Sequence, residues 1–418
     1  MFNYADYARQ LRHELHQIPE IGFDLPKTTA VVKRELEAMG LPYTEKYGKS
    51  SIVTYINPEK EGFTIALRAD MDALPIQEAS NNPFPSQHEG KMHACGHDAH
   101  TAQMLAVTRR LNDMKDQIRC RVKIIFQPAE EYLTPGGKMM VENGVTEDID
   151  MAIAAHVNGT RDVGKVAFHS GPSNSNSMGI LCEFFGKSAH AHSQQKGVDA
   201  IRMAVQAWTS MEIMVAREIP SKDCFVFNVG QIQGGNTNNI VCDYCKMFIS
   251  SRAWTDELTD FMERRVREIC EGVAQICGGE AKVTVTKLLP YMDNNPILVE
   301  KLWASAERTL GKGNVIEYAR GMGAEDFSFI SRKKPAVMIS MGTGCDTNPD
   351  TRSALHNGHF DIDERCFEGG IEMFVNFVLD CQDGIEFSGG NKYEICSCRR
   401  CADPAPNSRQ LPRCPGHP

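Results

Sequence analysis

Residues 93–100 crowd His93, Cys95, His97, Asp98 and His100 into one short run, a density of donor atoms that points first to a bound cation. Cys95 and His97 stand two apart, so an extended backbone sends both side chains from one face. They fall just ahead of a helix predicted over 98–111. A thiolate and an imidazole favour Zn²⁺ or a neighbouring transition metal over Mg²⁺. The competing use of this segment is a helix start, with Asp98 accepting backbone N–H groups. Three histidines, a thiol and a carboxylate in so short a run favour the cation.

A second signal is the segment FQPAEE (126–131), directly after a strongly apolar strand predicted over 121–126. Its neighbouring carboxylates, Glu130 and Glu131, can divide labour, one binding metal and the other moving protons. Asp70 and Asp72 follow another predicted strand (63–67) and have the chemistry to accept a proton from a ligating imidazole and fix its tautomer. His156 ends a strand predicted over 151–155, and His356 lies far along the chain in ALHNGHF (354–360). Four segments thus supply metal-type residues at strand ends, where ligands of open α/β sheets bind.

Those residues must be positioned by a framework, and the apolar pattern supplies one. Helical spacing runs from Tyr4 to Met39, broken near Pro19 and Pro26. Strands and helices then alternate, which predicts an α/β domain with a mostly parallel sheet. From about Gly171 the character changes. Strand (177–185), helix (199–217), strands (224–233 and 245–252), helix (256–277) and strand (281–287) follow in β-α-β-β-α-β order, a ferredoxin-like α+β unit. The expected organisation is a catalytic domain of residues 1–172 and 288–388, with residues 173–287 inserted as a second domain. The returning segment holds a helix near 297–310, a strand over 336–341 and a last helix over 367–379. The Pro-, Cys- and Arg-rich tail, 389–418, reads as disordered; a zinc knuckle from Cys396, Cys398 and Cys401 with Cys414 or His417 is the alternative.

A chain of 418 residues exceeds one ordinary core, which agrees with two domains. The net charge of −9 argues against a nucleic-acid partner. No run approaches a membrane span, and the amphipathic first residues lack the apolar core of a secretory signal, so a cytoplasmic location is expected. Cysteines such as Cys120, Cys182 and Cys270 fall singly in apolar stretches and read as buried thiols. The glycine pairs Gly136-Gly137 and Gly234-Gly235 lack the spacing of a phosphate-binding loop.

In order along residues 4–387, the segments LRHELHQIPEIGF, ALRADMDALPIQE, MHACGHDAHTA, FQPAEE, AAHV, GKSAHA, GGNTNNI, GAEDFS and LHNGHF resemble the M20 metallopeptidase superfamily. The resemblance is to its branch of N-acyl-amino-acid, hippurate and indole-acetyl-amino-acid amidohydrolases. It implies two divalent ions (Zn²⁺, Mn²⁺ or Co²⁺) and hydrolysis of the amide bond of N-acyl amino acids. Cys95 matches the ligand that bridges the ions, His97 and His156 complete one site, and Glu131 with His356 the other. Glu130 matches the general base, and Asp70 and Asp72 the supports behind the ligands. The inserted domain becomes a lid and dimerisation domain. Its His190 matches a histidine that contacts the scissile carbonyl, often across a homodimer interface. Asn239 and Arg252 match residues holding the substrate's polar end, and Glu325 has a supporting role. The alternatives are a dipeptidase or carboxypeptidase of the same superfamily, and a metal-dependent ligand-binding homologue without turnover.

Overall fold

Proline punctuates the first helices as its geometry demands. Helix Tyr4–His16 buries Ala8, Leu11 and Leu15, and its first turn is capped by Asn3, whose side chain accepts from the Asp6 amide at 3.2 Å. The chain breaks after Pro19 and restarts with Pro26 at the first position of helix Pro26–Ala38, where its missing N–H costs nothing. The computed structural model describes residues 2–387. The expectation of a disordered or zinc-binding tail lies outside the described residues.

Within the unit Met1–Gly384 the strands build two main sheets. The larger has eight strands, in the spatial order Tyr43–Thr44, Ile52–Ile56, Arg121–Gln127, Thr64–Asp70, Met151–Asp162, Ala336–Gly344, Val166–Phe168 and Val315–Glu317. Its four central strands, from Arg121–Gln127 to Ala336–Gly344, are parallel, and antiparallel pairs appear toward both edges. Thr64–Asp70 is buried at every position, as a strand covered on both faces must be. Helix His97–Asp113 packs against Tyr4–His16 and Cys366–Cys381 as well as against this sheet, so the helix is held by tertiary contacts on more than one side.

After Val166–Phe168 the chain leaves this sheet. It forms a separate four-stranded antiparallel sheet in the order Glu280–Leu289, Ser177–Phe185, Tyr244–Ala253, Phe225–Gly234. Helices Ala200–Glu218 and Asp256–Cys277, capped by Asp199 and Thr255, pack on it over Met178, Ile180, Phe184, Met203, Met247 and Cys270. This is the expected split β-α-β unit, with outer strands last and second in sequence. Exit and return run side by side, because Gly171–Asn174 pairs antiparallel with Met292–Asn294. The described cysteines are free thiols, and Cys120, Cys182 and Cys270 are buried. Among the described residues no helix is long and apolar enough to cross a membrane.

Two local expectations are corrected. The strand expected to end at 155 continues to Asp162, because its ladder with Ala336–Gly344 continues; His156 therefore sits within a strand rather than at its end. Cys95 and His97 do not share an extended segment. Gly96, at φ 82°, makes a left-handed turn between them, and His97 is the first residue of its helix.

Candidate metal centre

That left-handed turn requires glycine twice over. L-residues are strained at this φ, and a Cβ at Gly96 would meet Val157 Cγ2 at 2.4 Å. The turn swings Cys95 and His97 toward one point beyond the carboxyl ends of the central strands. Glu130 and Glu131 follow the end of Arg121–Gln127, His156 lies on Met151–Asp162, and His356 comes from the loop after Ala336–Gly344. Ala129 (φ 56°) and His356 (φ 61°) both hold left-handed backbone conformations beside the site, the kind of local strain that persists only when surroundings enforce it.

Two triplets of donor atoms result, each with its atoms within 4.8 Å of one another: Cys95, His97 and His156, and Cys95, Glu131 and His356. They share the Cys95 thiol. Cys95 Sγ lies 3.4 Å from His156 Nε2, and His356 Nε2 lies 2.9 Å from Glu131 Oε1. His156 Nδ1 donates to the Val157 carbonyl at 2.8 Å, which leaves Nε2 as the free electron pair facing the thiol. Burial pushes the His156 pKa down to about 3, so the ring is the neutral form a cation requires. Glu130 joins His97 and Glu131 in a third close group, beside the shared sulfur.

The donor set fits divalent metal. Both ring nitrogens of His97 are buried and lack a hydrogen-bond partner, a state that is costly for an imidazole unless a cation takes one of them. Burial also raises the Cys95 thiol well above its ordinary value, so thiolate here needs a positive charge beside it. The mixture of sulfur, imidazole and carboxylate suits Zn²⁺ and its transition-metal neighbours.

Support for the cluster comes from buried carboxylates, partly in ways the sequence did not reveal. Asp72 accepts from the backbone amides of Glu130 and Glu131 at 2.9 and 3.1 Å, clamping that turn, while its Oδ1 stands 3.5 Å from His97 Nδ1. Asp70 lies 3.8 Å from His97 Nε2 and accepts instead from His100 Nδ1 at 2.6 Å. His100 Nε2 in turn accepts from the Val157 amide at 3.0 Å, tying the helix to the strand that carries His156. Burial alone would raise the Asp70 pKa, but His97 and Arg68 hold it well below the carboxylate range. Arg68, buried in its strand, donates to Asp70, Gln127 and Asp326 at 2.6, 3.0 and 2.8 Å and lies 3.2 Å from Glu325. Sequence reading counted His100 in the donor-rich run without giving it a role of its own, and it missed Arg68 and Asp326. The signal for His100 was its position three residues after His97, on the same buried helix face; for Arg68 it was a charge inside a buried strand.

The electrostatic consequence falls on Glu130. Burial, then the charges of Glu325, Asp326 and Glu131, raise its pKa well above the ordinary value. Its neighbour Glu131 is lowered: burial opposes this, but the contact with His356 outweighs it. Adjacent carboxylates are thus pushed apart in proton affinity, one toward proton transfer and one toward binding a cation.

A cavity of about 820 Å³ opens onto Cys95, Glu130, Glu131, His156 and His356, and Arg252 lines it from the antiparallel sheet. His190 and Asn239 do not line it. They sit beside each other elsewhere: His190 pairs with Ile240 in an isolated bridge, and the Ala191 amide donates to the Asn239 carbonyl at 3.0 Å.

Comparison with known proteins agrees with this architecture. The chain is 31% identical to a hippurate hydrolase from Campylobacter jejuni, over 88% of this chain and 95% of that protein. It is 29% identical to an N-acetylcysteine deacetylase from Bacillus subtilis, with 88% and 95% covered. Among solved structures, a dinuclear metal-binding peptidase of the M20 family from Bacillus subtilis superposes with a TM-score of 0.79 at 26% identity, covering 91% of this chain and 99% of that one. The profile of peptidase family M20/M25/M40 matches residues 66–380, and this chain belongs to that family.

Proposed function

We propose that this chain is a two-metal amidohydrolase that cleaves the amide bond of N-acyl amino acids. The observation that carries the reading is the pair of donor triplets sharing one thiol, with Glu130 beside them at the mouth of a single cavity. The named relatives, a hippurate hydrolase and an N-acetylcysteine deacetylase, support the same substrate class.

In this reading Cys95, His97 and His156 would hold one ion, and Cys95, Glu131 and His356 the other. When bound, two divalent ions (Zn²⁺, Mn²⁺ or Co²⁺) supply Lewis acidity toward the scissile carbonyl and the attacking water. The protein does the rest. Glu130, with its raised proton affinity, takes the proton of the attacking water and returns it to the leaving amine. Asp72 holds Glu130 and Glu131 in register through their amides, and Asp70 with His100 fixes the strand carrying His156. Arg252 grips the substrate carboxylate, for which a planar guanidinium is suited.

Residues 173–287 act as a lid and dimerisation domain over a catalytic domain of residues 1–172 and 288–388. His190 and Asn239, away from the cavity of their own chain, serve the active site of a partner copy in a homodimer, where His190 donates to the developing oxyanion. The working location is the cytoplasm.

The test is amine release from N-acetyl, N-benzoyl and indole-acetyl amino acids and from simple dipeptides, on protein stripped of metal and reloaded with Zn²⁺, Mn²⁺ or Co²⁺. Metal-dependent cleavage of the acyl amino acids is the expected outcome. Cleavage of dipeptides alone would make the chain a peptidase, and two bound ions without turnover would make it a ligand-binding homologue.

A further inference from the structure

Buried guanidiniums in this fold are normally surrounded by acid. Arg68 is paired with Asp70, Asp326 and Glu325, and Arg12 with Asp98, Asp361 and Glu364. Arg161, which is half-buried, has no such partner. It lines the same cavity as Cys95 and Glu130, and no carboxylate among the described residues lies within ion-pair distance of it. Its Nη1 donates to the Ser340 hydroxyl at 2.8 Å, and its guanidinium lies over the Tyr318 ring, 5.1 Å from the centroid. Desolvation by these walls lowers its proton affinity, with no acid to offset the effect.

The anchor also fixes where this charge sits. Ser340 is the register partner of His156 on the neighbouring parallel strand, so their side chains leave the same face of the sheet. Adjacent strands lie about 4.8 Å apart. An irregularity in the ladder after Gly342 shortens the run from His156 to Arg161, and the bond to Ser340 sets the guanidinium beside the residue that pairs with His156, on the wall of the cavity that Cys95 and Glu130 also line. Arg252, the second guanidinium of the cavity, is bound only to the Met322 carbonyl, at 3.1 Å, and likewise has no acidic partner among the described residues. The acids that line the cavity are engaged elsewhere: Glu131 at His356, Glu325 at Arg68, and Glu130 at the Asp326 amide.

We propose that Arg161 is a receptor for a substrate carboxylate and that, with Arg252, it makes the cavity selective for acyl amino acids carrying two carboxylates. This rests on the hydrolase reading above. A substrate with one carboxylate neutralises one guanidinium and, on filling the cavity, strips water from the other without compensating it. A dianion compensates both. The second carboxylate belongs either to the acyl group or to the side chain of the amino acid, and each source has its own probe.

The experiment compares kcat/KM for N-acetylalanine, N-succinylalanine and N-acetylglutamate on the metal-loaded full chain. At least one dianion is expected to exceed N-acetylalanine by about 10- to 100-fold, the range for one charge-assisted hydrogen-bonded pair. The better dianion identifies the side on which the second carboxylate lies. In R161M the ratio of dianion to N-acetylalanine collapses toward one, and R161K restores part of it. Using the ratio removes any loss of folded protein, which scales both substrates alike. Equal turnover of all three compounds, or a ratio that survives R161M, overturns the inference and leaves the hydrolase reading standing. If no compound is cleaved with any ion, the hydrolase reading fails, and calorimetric titration of the same compounds decides. Tighter binding of a dianion to wild type but not to R161M upholds the role of Arg161, and equal binding overturns it.

Discussion

The backbone N–H of His356 donates to the carbonyl of Ala94 across 2.9 Å. This bond fastens a late loop to the residue just before Cys95, and it helps hold His356 in its left-handed conformation. The two donor triplets are therefore joined through the backbone as well as through the shared thiol.

That sharing makes the donor residues unequal in how many ions depend on each. Cys95→Ala removes a donor from both triplets and is expected to abolish stoichiometric binding of either ion. His356→Ala removes a donor from one and is expected to leave about one ion per chain. Metal content after exhaustive dialysis, measured by plasma mass spectrometry, distinguishes them. Two ions retained by the Cys95 variant would sink the bridging role.

Glu130→Gln keeps size and hydrogen bonding but removes the proton acceptor. The expected loss is about 10²- to 10⁴-fold in kcat, with both ions still bound. Near-native turnover in this variant would assign the base elsewhere, with Glu325 the nearest candidate in the same carboxylate group.

Gly96→Ala tests the turn that aims Cys95 and His97. The left-handed conformation costs an L-residue about 1–2 kcal/mol, and the new methyl collides with Val157. A lower melting temperature and weaker metal binding are expected together. A melting temperature equal to that of wild type would mean that the turn yields without moving the helix.

His16 gives a test read from stability rather than turnover. It is buried between Asp98, at 2.7 Å, and Glu78, at 3.2 Å. Burial disfavours its charge, but Asp98 outweighs burial and raises the pKa from 6.5 to about 9. A raised folded-state pKa stabilises fully below the unfolded value near 6.5, and that contribution is lost as pH rises through 9. The advantage of wild type over His16→Gln should shrink by about 3 kcal/mol across that window. Thermal melts from pH 6 to 9.5 measure it, and a constant gap between the two proteins would refute the pairing.

The sequence made donor chemistry visible more readily than donor geometry. Cys95, His97, Glu131, His156 and His356 could be picked out because thiols, imidazoles and carboxylates near strand ends are chemically conspicuous, and the fold brings these five together. The ferredoxin-like unit was legible because its alternation of strand and helix is local. What stayed hidden was non-local. Arg68 meets Asp326 only after the chain has left the large sheet and returned, and no periodicity encodes that meeting. The extension of the strand past His156 depends on a partner that begins at Ala336. The turn at Gly96 was hidden for another reason: glycine permits many conformations, and the close approach of Val157 that forbids a side chain there comes from a distant strand.

The return of the chain through Met292–Asn294 beside Gly171–Asn174 has a consequence for biosynthesis. A nascent chain that has emerged only through the antiparallel sheet carries Cys95, His97 and His156 but neither the strand that pairs with Met151–Asp162 nor His356. Its half-built thiol site lies open to free metal ions and to oxidants. Correct loading therefore waits for the segment that follows the antiparallel sheet, and the ribosome, by setting when His356 arrives, sets when the second ion can be captured.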